Sequence, residues 1–235
     1  MKALVKRNLK AYASVMLLYI FAAFLVFYIG INIWENYFTE SSDHMMKIYS
    51  DMANILVLFI PLLTMGSFTL EKAGGTDRIL FTSSLNMPLI VLGKYLAALT
   101  AFSAVMLAAL IIPSVILMMS GVYFAEVLSM IIGELLIGSA VIAFGLFISS
   151  LSSHAYRAFV VTVAGLFGWW VIDTLMHNVS SQAFKWVLNG VSIFDKYQLF
   201  SNGFISLSAV FFLLSVTALF LLFAVQSLLI WRRKR

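Results

Sequence analysis

Six stretches of this chain are unbroken enough in apolar residues to cross a lipid bilayer: 15–34, 52–70, 95–119, 127–149, 158–176 and 207–230. A helical span needs about 20 such residues, and in hydrocarbon a backbone satisfies its own polar groups only as a helix or a closed barrel. A barrel would show alternating segments of about ten residues, whereas these runs are continuous and rich in Leu, Ala and Phe. The expected fold is an all-α polytopic membrane protein with six transmembrane helices, a single domain over residues 1–235. Composition excludes the water-soluble alternative. With 63% hydrophobic and 11% charged residues, the charges are too few to cover a solvent-facing core. The first run follows a basic start, as a signal peptide does, but it is far longer than one and predicts a retained anchor.

Orientation follows from the basic residues. With the amino terminus inside, twelve of the fifteen Lys and Arg fall on one side, and only Lys47, Lys185 and Lys196 on the other. That asymmetry places both termini in the cytoplasm of a multi-pass cytoplasmic (inner) membrane protein. The net charge of +5 sits at chain ends and short loops, where headgroups and topology account for it, so no nucleic acid partner is expected. Cys is absent, which removes disulfides, thiolate metal sites and thiol nucleophiles. No metal or catalytic site is expected.

The segments between spans carry more information. In 1–12, Lys2, Lys6 and Lys10 fall four apart on one helical line and Val5, Leu9 and Tyr12 on another, predicting a helix lying on the inner leaflet. Residues 71–94 form a loop longer than a reversal of direction requires. Thr76 after Gly74-Gly75 can cap a short helix with Asp77 at its positive end. Ile79 and Leu80 would then present an apolar face suited to a groove on a partner, or one that rests on the membrane surface.

Inside the spans, Glu134 and Asp173 stand out, because an ionised carboxylate at the bilayer centre costs about 2.5–3.5 kcal/mol on insertion scales. Both fall in the outer half and are candidates for a translocation path. Asp173 beside Trp169 and Trp170 also fits an interfacial belt. Pro61 and Pro113 lie in spans two and three, where each deletes a backbone hydrogen bond and permits a bend on the same path. Gly133, Gly138, Ser139 and Gly145 supply small surfaces for close helix contact. The outer segment 177–206 is too long for a turn and too polar to cross, and its apolar residues predict one or two short half-buried helices.

At this point the residues resemble a known family. The string from Glu71 through Gly75-Thr76-Asp77, Ile79-Leu80 and Thr82-Ser83 to Ile90-Val91-Leu92-Gly93-Lys94-Tyr95 is similar to the intracellular loop of ABC type-2 exporter permeases, in particular the branch that includes gliding-motility-associated permeases. Leu70 stands where relatives often carry an acid, and Ser84 where they carry Pro. The likeness continues in Phe147-Ile148-Ser149-Ser150-Leu151, in Phe194-Asp195-Lys196, and in Gln226-Ser227 ahead of Arg232-Arg233.

The resemblance implies a permease subunit without catalysis of its own, paired with a second copy or a paralogue, served by a separate ABC ATPase subunit and by an auxiliary protein on the exported side. Glu71, Gly75, Thr76, Asp77, Arg78, Ile79, Leu80 and Thr82 would form the coupling segment that meets the ATPase. Trp186, Phe194 and Phe200 would belong to an outer gate. ATP and Mg would bind the partner, since Gly93-Lys94 is followed by Tyr95 and opens an apolar span rather than a phosphate loop. The other reading is an ion-coupled carrier or channel using Glu134 and Asp173 with His154 or His177.

Overall fold

The computed structural model describes residues 2–14, 16–37, 42–75, 86–119, 121–176 and 192–233, all of them helix or short connections, with no strand among them. In chain order the helices are α1 (Lys2–Ser14), α2 (Met16–Tyr37), α3 (Ser42–Thr64), α4 (Gly66–Ala73), α5 (Met87–Met119), α6 (Phe124–Leu151), α7 (Ala155–Met176), α8 (Ile193–Ser201) and α9 (Leu207–Arg233). Six stretches are long and apolar enough to span a membrane: 16–35, 48–73 across α3 and α4, 87–119, 124–151, 155–172 and 207–233. Large apolar side chains such as Phe27, Trp34, Val160, Phe211 and Leu222 face outward. In water these would form a continuous apolar surface, so the molecule is built for a lipid surround.

The bundle is organised around α6. Of its apolar window 67% is buried, against 17% for α2 and α7 and 22% for α9. It packs against α3, α4, α5, α7, α8 and α9. Small residues make this approach possible: a Cβ on Gly138 would meet the Phe102 ring of α5, and one on Gly145 would meet the Thr64 side chain of α3. Ser139 reaches Thr217 of α9 at 3.4 Å. Gly145→Ala should therefore destabilise the bundle by about 1–3 kcal/mol through overpacking. Gly30→Ala, where nothing lies within 4 Å of the added carbon, should leave it unchanged; thermal denaturation of both variants in detergent measures the difference.

Beyond shifts of a few residues at span ends, two features depart from the sequence reading. The third span begins at Met87 rather than near Tyr95, because Pro88 suits a first helical turn, where its missing N–H has no intrahelical partner to lose. Pro61 and Pro113 both lie inside continuous helix, and the second span breaks instead at Met65, between α3 and α4. Next to that break the Thr64 hydroxyl donates back to the Ile60 carbonyl at 3.0 Å, a pairing that bends helices.

Candidate functional site

Two polar clusters stand out in an otherwise apolar bundle, one at the carboxyl end of α6 and one in its amino-terminal half. The first surrounds α4, the helix that leads out of the second span. A helix break inside a bilayer leaves amides without partners, and here Ser149 of α6 closes it. Its Oγ accepts from the Phe68 N–H at 3.1 Å and donates to the Met65 carbonyl, also at 3.1 Å. One hydroxyl therefore spans the break.

Beyond it, α4 is tied on three sides. Glu71 pairs with Lys94 of α5 at 2.6 Å. The Lys94 ammonium also donates to the Ser67 carbonyl and lies 4.5 Å from the centre of the Phe68 ring. Lys72 donates to the Ser150 and Ser152 carbonyls at the end of α6, and its ammonium sits 4.7 Å from the Trp231 ring of α9. From α1, the Tyr12 hydroxyl meets Ser67 Oγ at 2.7 Å. Burial pushes the Tyr12 hydroxyl above its ordinary value, the Ser67 bond offsetting part of that, so it stays neutral. The helix ends at Ala73, and Gly75 just beyond it has a φ of 67°, a left-handed conformation that glycine adopts without penalty.

The second cluster encloses Glu134, ten residues into α6 from Phe124, about 15 Å along the helix at 1.5 Å per residue. Its side chain is fully buried. The Tyr197 hydroxyl of α8 lies 2.5 Å from Glu134 Oε1 and at the same 2.5 Å from the Tyr49 carbonyl of α3. Glu134 Oε2 has no hydrogen-bond partner among the described residues. Tyr49 in turn meets Ser114 Oγ of α5 at 2.8 Å, and Ser114 donates to the Leu110 carbonyl at 2.6 Å.

Counting protons constrains the arrangement. Tyr197 has one hydroxyl proton and two acceptors. Both are served only when Glu134 is protonated and donates to the Tyr197 oxygen, which then donates to Tyr49. Burial, followed by the neighbouring Glu134 carboxyl, pushes the Tyr197 hydroxyl well above its ordinary value. The phenol therefore keeps its proton in either case. The cluster ties α3, α6 and α8 together through one carboxyl, one phenol and one carbonyl.

Of the residues singled out in the sequence, Glu71 lies in the last turn of α4 and Gly75 just past its end, whereas Thr76, Asp77, Arg78, Ile79, Leu80 and Thr82 lie outside the described residues, as does Trp186. Asp173 falls in the last turn of α7, and its side chain is likewise outside them. Phe194 and Phe200 are buried on α8. A Cβ on Gly133 would collide with Phe200, so that glycine is what lets α8 lie against α6. Among the described residues no three His, Cys, Asp or Glu come together as a metal site would require.

Sequence reasoning missed Ser149, Lys72 and Lys94 as structural ties. Lys94 carried a readable signal: once Pro88 is taken as the start of a helix, Lys94 falls two turns inside it and needs a partner. Tyr49 and Ser149 carried none. No family model matches the chain, and no curated protein matches it either. The class defined by fold and site is a multi-pass helical membrane protein with a braced helix end on one side and a buried carboxyl towards the other.

Proposed function

We propose that the chain is the permease subunit of an ATP-driven exporter of the ABC type-2 class, working as a pair with a second copy or paralogue and driven by a separate ATPase subunit. The observation that carries this reading is the bracing of α4. The segment 76–85 leaves from a helix held by an ion pair to α5, by Lys72 to the end of α6, and by Tyr12 to α1. A connection that merely reversed the chain would gain nothing from such ties. A connection that receives force needs its base fixed to the elements it moves. Packed helices shift as rigid bodies, and a push on the loop would reach α5 and α6 together. The loop resemblance supplies the source of that push, an ATPase on the cytoplasmic side that carries the ATP and Mg.

On this reading α1, with Lys6, Arg7 and Lys10 exposed, lies against the cytoplasmic leaflet, and α8 forms part of the outer closure with Phe194 and Phe200. In the present conformation Glu134 is enclosed by α3, α6 and α8 rather than open to a path. The test is association with the ATPase: the double substitution Ile79→Asp, Leu80→Asp should abolish co-purification while leaving membrane insertion intact. Unchanged association would remove the docking site from this loop. Glu134 favours a second reading, an ion-coupled carrier, since a buried carboxyl with an unpartnered oxygen is what a proton-linked cycle would use. Substrate movement in vesicles that carry a proton gradient but no ATPase decides for that alternative.

A further inference from the structure

Between α1 and the α3–α4 break lies a cavity of about 290 Å³, close to the lower end of the range of small-molecule sites. Its walls divide by chemistry. Leu17, Leu62, Leu63 and Leu70 supply an apolar lining, and Tyr12, Ser67, Glu71 and Lys94 a polar one. That polar lining is internally settled: the ion pair is neutral as a unit, and the two hydroxyls face one another. The exception is Asn8, which also lines the cavity and whose side-chain nitrogen is buried with no partner among the described residues. A buried amide donor without an acceptor is costly, so the geometry asks for an acceptor from outside the chain. Just outside, Lys6, Arg7 and Lys10 of α1 are exposed.

We propose that this cavity holds one acyl chain of an anionic glycerophospholipid from the leaflet that bathes α1, with Asn8 donating to the ester carbonyl and the α1 cations facing the headgroup. Three features select this occupant. An ester lies at the junction of tail and head, and Asn8 lines the apolar cavity from the helix that carries the exposed Lys6, Arg7 and Lys10. The balanced Lys94–Glu71 pair offers no net charge to a small ion. The basic α1 surface complements an anionic head. A second cavity, of about 450 Å³ between α1, α2 and α5, is larger but is lined by Ala, Leu, Val and Tyr with Thr100. Thr100 already donates to the Ala97 carbonyl at 3.0 Å, so that cavity reads as an ordinary lipid-facing groove. The proposal is independent of any ATPase.

Native mass spectrometry of the full chain, delipidated and then titrated with phosphatidylglycerol or phosphatidylcholine, tests it. Wild type should retain one phosphatidylglycerol at least tenfold more tightly than phosphatidylcholine. Ala11→Phe, which fills the cavity, and Asn8→Leu, which removes the donor, should each bind phosphatidylglycerol at least tenfold more weakly. Ala104→Phe in the second cavity should bind as wild type does. Asn8→Leu should also raise the melting temperature of the delipidated chain, a readout that stands even if Ala11→Phe does not fold. Equal retention of the two lipids by wild type, or undiminished phosphatidylglycerol binding by Asn8→Leu, would overturn the assignment.

Discussion

Glu71→Leu should destabilise the folded chain by about 3–5 kcal/mol, the range for breaking a buried ion pair by removing one partner, whereas Lys94→Met should cost clearly less. The asymmetry comes from burial. The Lys94 side chain is 6% exposed and that of Glu71 23%. Without Glu71, an ammonium held over the Phe68 ring keeps, among the described residues, only the Ser67 carbonyl as a hydrogen-bond partner. Without Lys94, Glu71 can turn its carboxylate towards water, and methionine fills the space of the lysine stem. The double variant should recover most of the loss, because no charge then remains buried. Denaturation of the three variants in detergent micelles checks the order. A Lys94→Met loss as large as that of Glu71→Leu would mean that the pair contributes by its geometry rather than by burial of its cation. If the exporter reading holds, Glu71→Leu should also lower substrate export per ATP hydrolysed, since the base of the loop would no longer be tied to α5.

At the buried carboxyl the expected result runs against intuition. Tyr197→Phe should cost about 1–3 kcal/mol, the desolvation penalty of polar groups left unpaired, while Glu134→Leu should be nearly neutral. Removing the phenol leaves Glu134 with neither oxygen partnered among the described residues. Removing the carboxyl leaves Tyr197 donating to the Tyr49 carbonyl, its other acceptor at 2.5 Å. Glu134→Gln should behave as wild type, because its amide can donate to Tyr197 as the protonated acid does. A double-mutant cycle between Tyr197→Phe and Glu134→Leu isolates the coupling. Infrared spectra supply an independent check: a protonated-carboxyl band present in wild type and absent in Glu134→Gln matches the proton count, and its absence from wild type would contradict it.

The readable part of the fold was the part governed by hydrocarbon. Continuous apolar runs fixed the number of spans, because a bilayer leaves the backbone few alternatives, and all six coincide with helices. The small residues of the fourth run pointed to close contact, and Gly133, Gly138 and Gly145 each admit a named side chain. Glu134 was visible as an ionisable group out of place. Its partners were not, because Tyr197 and Tyr49 lie 63 and 85 positions away from it, and nothing in an apolar run says which neighbour it meets. Similarly, Pro61 drew attention as a bend, yet the interruption came one turn later, where a hydroxyl from another helix could stabilise it. Helix breaks in lipid are placed by what can satisfy them, and that information lies in the tertiary arrangement.

The central position of α6 bears on how the protein is made. As the ribosome delivers it to the membrane, α3 and α5 are already present, but α8 and α9 have yet to be translated. Until they arrive, the Gly133 flank and the carboxyl of Glu134 lack their final cover. A chain that ends after α7 thus lacks the phenol that meets the Glu134 carboxyl in the finished one.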